Sequence, residues 1–116
     1  MYELKLHKNL NTEKWKTYDT SQQILMIANE VNRLMEAIKR KQPKPEMDEI
    51  MERAFELIDL TVECSGKKSF TRELLRWREL FAAYYSTDEK KEDIASLYKV
   101  LLLTSPTAFN LLYSLG

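Results

Sequence analysis

Residues 24–38 read ILMIANEVNRLMEAI, and the spacing of their apolar side chains indicates how the chain folds. Apolar residues recur at intervals of three and four, at positions 24, 27, 28, 31, 34, 35 and 38. An α-helix has about 3.6 residues per turn, so this interval places them along one helical face. Such a face has to be buried against other helices, and the stretch therefore predicts a helical bundle.

The same interval returns in three later stretches, so the sequence predicts four long helices. Their expected limits are residues 19–41, 46–64, 69–85 and 88–103. Leu75 and Leu80 widen the apolar face of the third helix. A short fifth helix is expected over 106–115, because Ser105 and Pro106 are a favoured N-cap and first helical residue. We predict an all-α fold, a four-helix bundle with a short fifth C-terminal helix and an irregular N-terminal arm.

The first 18 residues follow a different pattern from the rest of the chain. Tyr2, Leu4 and Leu6 alternate with polar residues, a period of two that is typical of a strand, although the chain offers no second strand to pair with it. A helical turn that begins at Thr12 is also compatible with the sequence. Residues 1–18 are therefore interpreted as an arm or a short pre-helix within one domain that spans 1–116.

Length and composition limit the class of protein. The chain has 116 residues, 44% of them hydrophobic, and 18 basic residues balance 18 acidic ones. These values predict one folded domain, and they argue against disorder and against a generally basic nucleic-acid coat. No apolar run approaches the ~20 residues of a membrane span. Cys64 is the only cysteine, interpreted as a small buried side chain, and a cytosolic location without membrane contact is expected.

Charge is unevenly distributed along this neutral chain. Residues 46–66 hold seven acids and one base, whereas residues 67–85 hold five bases and two acids. A short link that contains Gly66 joins the two stretches, so the second and third helices should be antiparallel neighbours. The simplest interpretation is that their opposite charges pair with each other.

Three segments resemble a set of short bacterial all-helical proteins of unknown function. They are Trp15 with 23–33 (QILMIANEVNR), 53–61 (RAFELIDLT) and 72–79 (RELLRWRE). The resemblance covers roughly residues 15–85. It implies a helical fold and a bacterial cytosolic protein, and it implies no chemistry.

The sequence contains no complete catalytic set, and we expect no enzymatic activity, no cofactor and no metal site. A remote alternative is a Mg2+-dependent nucleotide pyrophosphohydrolase of the MazG type, in which E-x-x-E and E-x-x-D pairs hold the metal. Glu56 and Asp59 have the second spacing. However, Glu30 is followed three residues later by Arg33, where that family requires a carboxylate, and a cation there opposes metal binding.

The leading functional hypothesis is a non-enzymatic protein-interaction module that binds a protein partner or a second copy of itself as a homodimer. The candidate partner-facing residues are those that remain after the core is assigned. They are Leu25 and Met26 on the first helix, with Phe109, Leu112 and Tyr113 in the fifth.

The alternative hypothesis is a bundle that binds nucleic acid or another phosphate ligand through the basic face of the third helix. Its candidate residues are Lys67, Lys68, Arg72 and Arg76. Trp77 lies beside them, but its position in the apolar stripe predicts that it is buried in the core. Pairing of the four cations with acids of the second helix would argue against this hypothesis, and an open positive groove would favour it.

Overall fold

The computed structural model describes residues 11–86 and 93–105. Five helices run through them: α1 (Thr12–Lys16), α2 (Thr20–Lys39), α3 (Lys44–Cys64), α4 (Lys68–Tyr85) and α5 (Asp93–Leu103). Helices account for 84% of this described part, which contains no strand. The predicted all-α bundle is confirmed, and α1 matches the helical turn expected from Thr12. The expected N-terminal strand pattern and the helix over 106–115 lie outside the described residues.

The apolar stripe of α2 forms the centre of the core, as its spacing predicts. Ile24, Ile27, Val31 and Leu34 are fully buried. Helix α2 packs against α3 and α5, α3 also packs against α1 and α4, and α4 contacts α5. Burial of these apolar side chains, at roughly 25 cal/mol per Å², provides most of the driving force for folding.

Three side-chain hydrogen bonds, made by Trp15 and Gln23, fix the short helix α1 to the bundle. The indole Nε1 of Trp15 donates to Thr61 Oγ1 on α3 at 3.0 Å. The side-chain amide of Gln23 on α2 donates to the backbone carbonyls of Trp15 and Tyr18 at 3.0 and 3.1 Å. Trp15 lies in the last turn of α1 and Tyr18 lies two residues beyond that helix, so Gln23 links the end of α1 to α2.

A capping box starts α2. Asp19 Oδ1 accepts from the backbone N–H of Gln22 at 2.8 Å, and Gln22 Oε1 accepts from the backbone N–H of Asp19 at 2.9 Å. The backbone N–H of Gln22 and the hydroxyl of Ser21 lower the pKa of Asp19, because both donate to its charged form.

The C-terminus of α2 closes with a Schellman motif. The backbone N–H of Gln42 donates to Ala37 O at 3.0 Å, and that of Lys41 donates to Ile38 O at 3.1 Å. Lys41 has a φ of 53°, in the left-handed region that glycine adopts most easily. The chain therefore holds a residue with a Cβ where this motif favours glycine.

Helices α3 and α4 are antiparallel, as the short link predicts. Asp59 on α3 accepts from Arg78 on α4 at 2.7 and 3.3 Å, and the guanidinium of Arg78 lies 4.9 Å from the ring centre of Phe55. Phe55 in turn packs on Phe81, one turn further along α4. None of the described helices is long and apolar enough to cross a membrane.

Candidate functional site

A groove of about 670 Å³ runs from the end of α3, past the turn into α4, and along one side of that helix. Its polar walls contain the four basic residues that the sequence indicates, Lys67, Lys68, Arg72 and Arg76. Val62 and Leu75 contribute apolar surface. We call this feature the basic groove.

Helix geometry explains why three of the cations share one side of the groove. Lys68, Arg72 and Arg76 are separated by four residues each, and residues four apart lie on the same face of a helix. With a rise of about 1.5 Å per residue, successive members of this row are about 6 Å apart along the axis. The row therefore presents its charges to a ligand in a line.

The turn between α3 and α4 places the fourth cation, Lys67, at the start of the row. Ser65 adopts an extended backbone and ends α3, and its Oγ accepts from the backbone N–H of Lys67 at 3.2 Å. Lys67 is the N-cap of α4 and makes no side-chain capping hydrogen bond. Its side chain is exposed, as are the three that follow it in the row.

The acids of α3 do not neutralise these four cations. Within 11–86 and 93–105, none of the four forms an ion pair, and a single ion pair joins α3 to α4, between Asp59 and Arg78. Glu79 is the one acidic residue that lines the groove. The predicted charge pairing between α3 and α4 is thus limited to Asp59 and Arg78. The other bases of α4, Lys68, Arg72 and Arg76, are exposed to solvent.

Trp77 is buried, as predicted, and takes no part in the basic groove. Its Nε1 donates to the backbone carbonyl of Leu97 on α5 at 2.7 Å, and its ring stacks on Phe81 with centroids 4.9 Å apart. The lining of the groove contains no aromatic side chain. A ligand would therefore contact cations and aliphatic surface there, without stacking on a ring.

Cys64 lies beside the turn, half-buried against α1. Its Sγ approaches the backbone carbonyl of Thr12 at 3.7 Å. Burial raises the pKa of the Cys64 thiol, an effect that the positive charge of nearby Lys16 opposes. The sequence analysis expects a small buried side chain, whereas the structure leaves Cys64 partly exposed while it packs against the core cluster.

The carboxylates that a metal-dependent enzyme would need are not brought together. Glu30 is buried and accepts from Arg33 Nη1 and Arg53 Nε, both at 3.1 Å. Asp59 is bound by Arg78. In the part of the chain that the structure describes, no group of three histidine, cysteine or acidic side chains is arranged to hold a metal ion.

The structure places the candidate partner-facing residues as follows. Leu25 and Met26 are half-buried and pack against the core cluster, so they do not form an open apolar surface. Phe109, Leu112 and Tyr113 lie outside the described residues.

An apolar surface lies between α4 and α5, and the contribution of Leu80 to it differs from the sequence-based expectation. Leu80, expected to widen the core stripe, is exposed, and so are Val100 and Leu103. These three side chains surround a second groove of about 380 Å³. The helical period places Leu80 at the margin of the stripe, and only the position of α5 decides whether it is covered.

No family model matches this sequence, and no curated protein or solved structure shows significant similarity to it. The resemblance to short bacterial helical proteins therefore stays a prediction.

Proposed function

We propose that the protein is a non-enzymatic binding protein that takes a phosphate-bearing ligand into the basic groove. One observation carries this proposal: four cations from one turn and one helix line a single groove, and none of them is paired with an acid among the described residues.

The chemistry of the groove fits phosphate better than carboxylate or neutral ligands. Arginine presents a planar fork of donors that can bind phosphate oxygens in pairs, and lysine adds a mobile point charge. A line of three cations about 6 Å apart suits a ligand that carries several phosphates in a row. The ligand class that we favour is a single-stranded nucleic acid or another linear chain of phosphates.

Binding without catalysis is the simplest function for this lining. The groove holds the hydroxyls of Ser65 and Thr71, but its lining includes no histidine and no cysteine to activate them. The single carboxylate, Glu79, lies on α4 at the far end from the turn. A cytosolic location, where nucleic acids and phosphorylated metabolites are abundant, stays a prediction.

The proposal is tested by the salt dependence of binding to a fluorescein-labelled single-stranded oligonucleotide, measured by fluorescence anisotropy. For single strands, the slope of log K against log salt is about −0.7 per neutralised phosphate, so four contacts predict a slope of about −2.8. The double variant Arg72→Gln/Arg76→Gln should reduce that slope by about 1.4 and weaken binding at every salt concentration.

The matched control is Lys39→Gln/Arg40→Gln, which removes two exposed charges from the end of α2, outside the groove lining. This control changes the net charge by the same amount as Arg72→Gln/Arg76→Gln. Because its groove is intact, it should bind as the wild type does. Equal weakening in both double variants would refute the groove as the site. Competition by inorganic polyphosphate as strong as that by the unlabelled oligonucleotide would assign recognition to the phosphate chain alone.

The protein-interaction hypothesis has less support than phosphate binding, because the candidate residues Leu25 and Met26 do not lie on an open apolar surface. Leu25 and Met26 are half-buried and pack against the core cluster.

A further inference from the structure

Three of the four large apolar side chains that are exposed in the described part of the chain lie together. Leu80 on α4 is 55% exposed, and Val100 and Leu103 on α5 are 46% and 52% exposed. All three line the second groove, with the buried Trp77 between the two helices. We call Leu80, Val100 and Leu103 the apolar face.

A single exposed leucine is ordinary on a soluble protein and needs no explanation. Contiguous apolar surface with a polar rim is a common feature of interaction sites. The apolar face has such a rim, formed by Glu73, Arg76 and Thr104. Its exposure costs free energy in water, and this cost is removed when a partner covers it.

We propose that the apolar face binds the same face of a second copy of this chain, in a symmetric homodimer. In a two-fold interface each residue pair occurs twice, so the rim has to complement itself. Glu73 and Arg76 supply one charge of each sign, and neither forms an ion pair with any residue described in the structure. A second copy can therefore pair Glu73 with Arg76 reciprocally across the axis.

Net charge also favours a second copy over a charged partner. The chain carries 18 basic and 18 acidic residues, so two copies do not repel each other over long distances. The rim carries one acid and one base, so it has no net charge to attract a strongly charged partner. The proposal does not depend on ligand binding in the basic groove, although Arg76 lines both grooves.

The test is sedimentation equilibrium of the full chain over a concentration series up to about 1 mM, without any nucleic acid or phosphate. A reversible monomer–dimer equilibrium is expected. Leu80→Glu should weaken the association by about 30-fold or more, because it buries a charge at the centre of the interface. The matched control Leu75→Glu changes another exposed leucine of α4, in the basic groove, and should leave the association unchanged.

A charge swap tests the predicted symmetry and remains informative if Leu80→Glu does not fold. Glu73→Arg or Arg76→Glu alone should weaken the association, and the double swap should restore it. A wild type that stays monomeric throughout the series would overturn the proposal. A dimer that Leu80→Glu and both single swaps leave intact would overturn it as well.

Discussion

Replacement of Arg53 by methionine removes one of the two cations that hold the buried carboxylate of Glu30. The Glu30 side chain is 5% exposed, whereas Arg53 and Arg33 are 31% and 54% exposed. Methionine preserves most of the apolar stem of Arg53. The variant therefore retains the packing between α2 and α3 but leaves the charge of Glu30 with Arg33 alone.

The expected cost follows from which charge remains buried. Removal of one partner from a buried ion pair costs about 3–5 kcal/mol, and the remaining contact with Arg33 lowers this to about 2–3 kcal/mol. Glu30→Met leaves two arginines that already contact water and can be rehydrated. Because an apolar side chain of similar volume then fills the site, this variant should lose no more than about 1 kcal/mol.

Urea unfolding followed by far-ultraviolet circular dichroism measures both free energies. The slope of the unfolding free energy against urea should match the wild-type value in each variant, which confirms that the fold is unchanged. The double variant Arg53→Met/Glu30→Met should recover most of the stability that Arg53→Met loses. If Glu30→Met costs as much as Arg53→Met, the buried charge is not the source of the effect and the argument fails.

Three further predictions concern the ends of helices and the docking of α1. Lys41→Gly should raise the free energy of unfolding by about 0.5–1 kcal/mol in urea, since glycine accepts the left-handed backbone without strain; a loss of stability would contradict the Schellman assignment. Asp19→Ala should lower Tm more at pH 6 than at strongly acidic pH. The lowered pKa of Asp19 means that its charge stabilises the fold above the ordinary pKa of 3.8, and this effect is lost as the pH falls through the lowered value. An equal loss at both pH values would show that its charge has no role. Trp15→Phe should cost about 1–3 kcal/mol in urea unfolding, because the hydrogen bond to Thr61 is lost and the ring leaves a space, and an unchanged midpoint would place α1 outside the cooperative fold.

The helical face of α2 could be predicted because burial follows directly from the helical period. The helical spacing places Ile24, Ile27 and Val31 on one face, and all three are fully buried in the core. Glu30 lies next to that stripe, and its burial could not be predicted from α2 alone. It depends on Arg53, which reaches it from α3 across 23 positions of sequence.

The candidate site shows the same division between local and distant information. The row of Lys68, Arg72 and Arg76 is visible in the sequence, because it depends only on the period of one helix. Whether these three cations have acidic partners depends on the position of α3. In the structure, Asp59 of α3 forms its ion pair with Arg78 and not with a residue of the row. Lys41 is a further example. The Schellman motif at the end of α2 usually contains glycine, and a lysine at this position gives no sequence signal for the motif.

Every residue that lines the basic groove falls between positions 62 and 79, within one helical hairpin. The three-residue link Ser65–Lys67 makes the two halves of the groove immediate neighbours along the chain. Assembly of the groove therefore requires the closure of only a very short loop, a step with a small entropic cost. The lining of the groove is therefore encoded by eighteen consecutive residues, so a single short segment of sequence determines it.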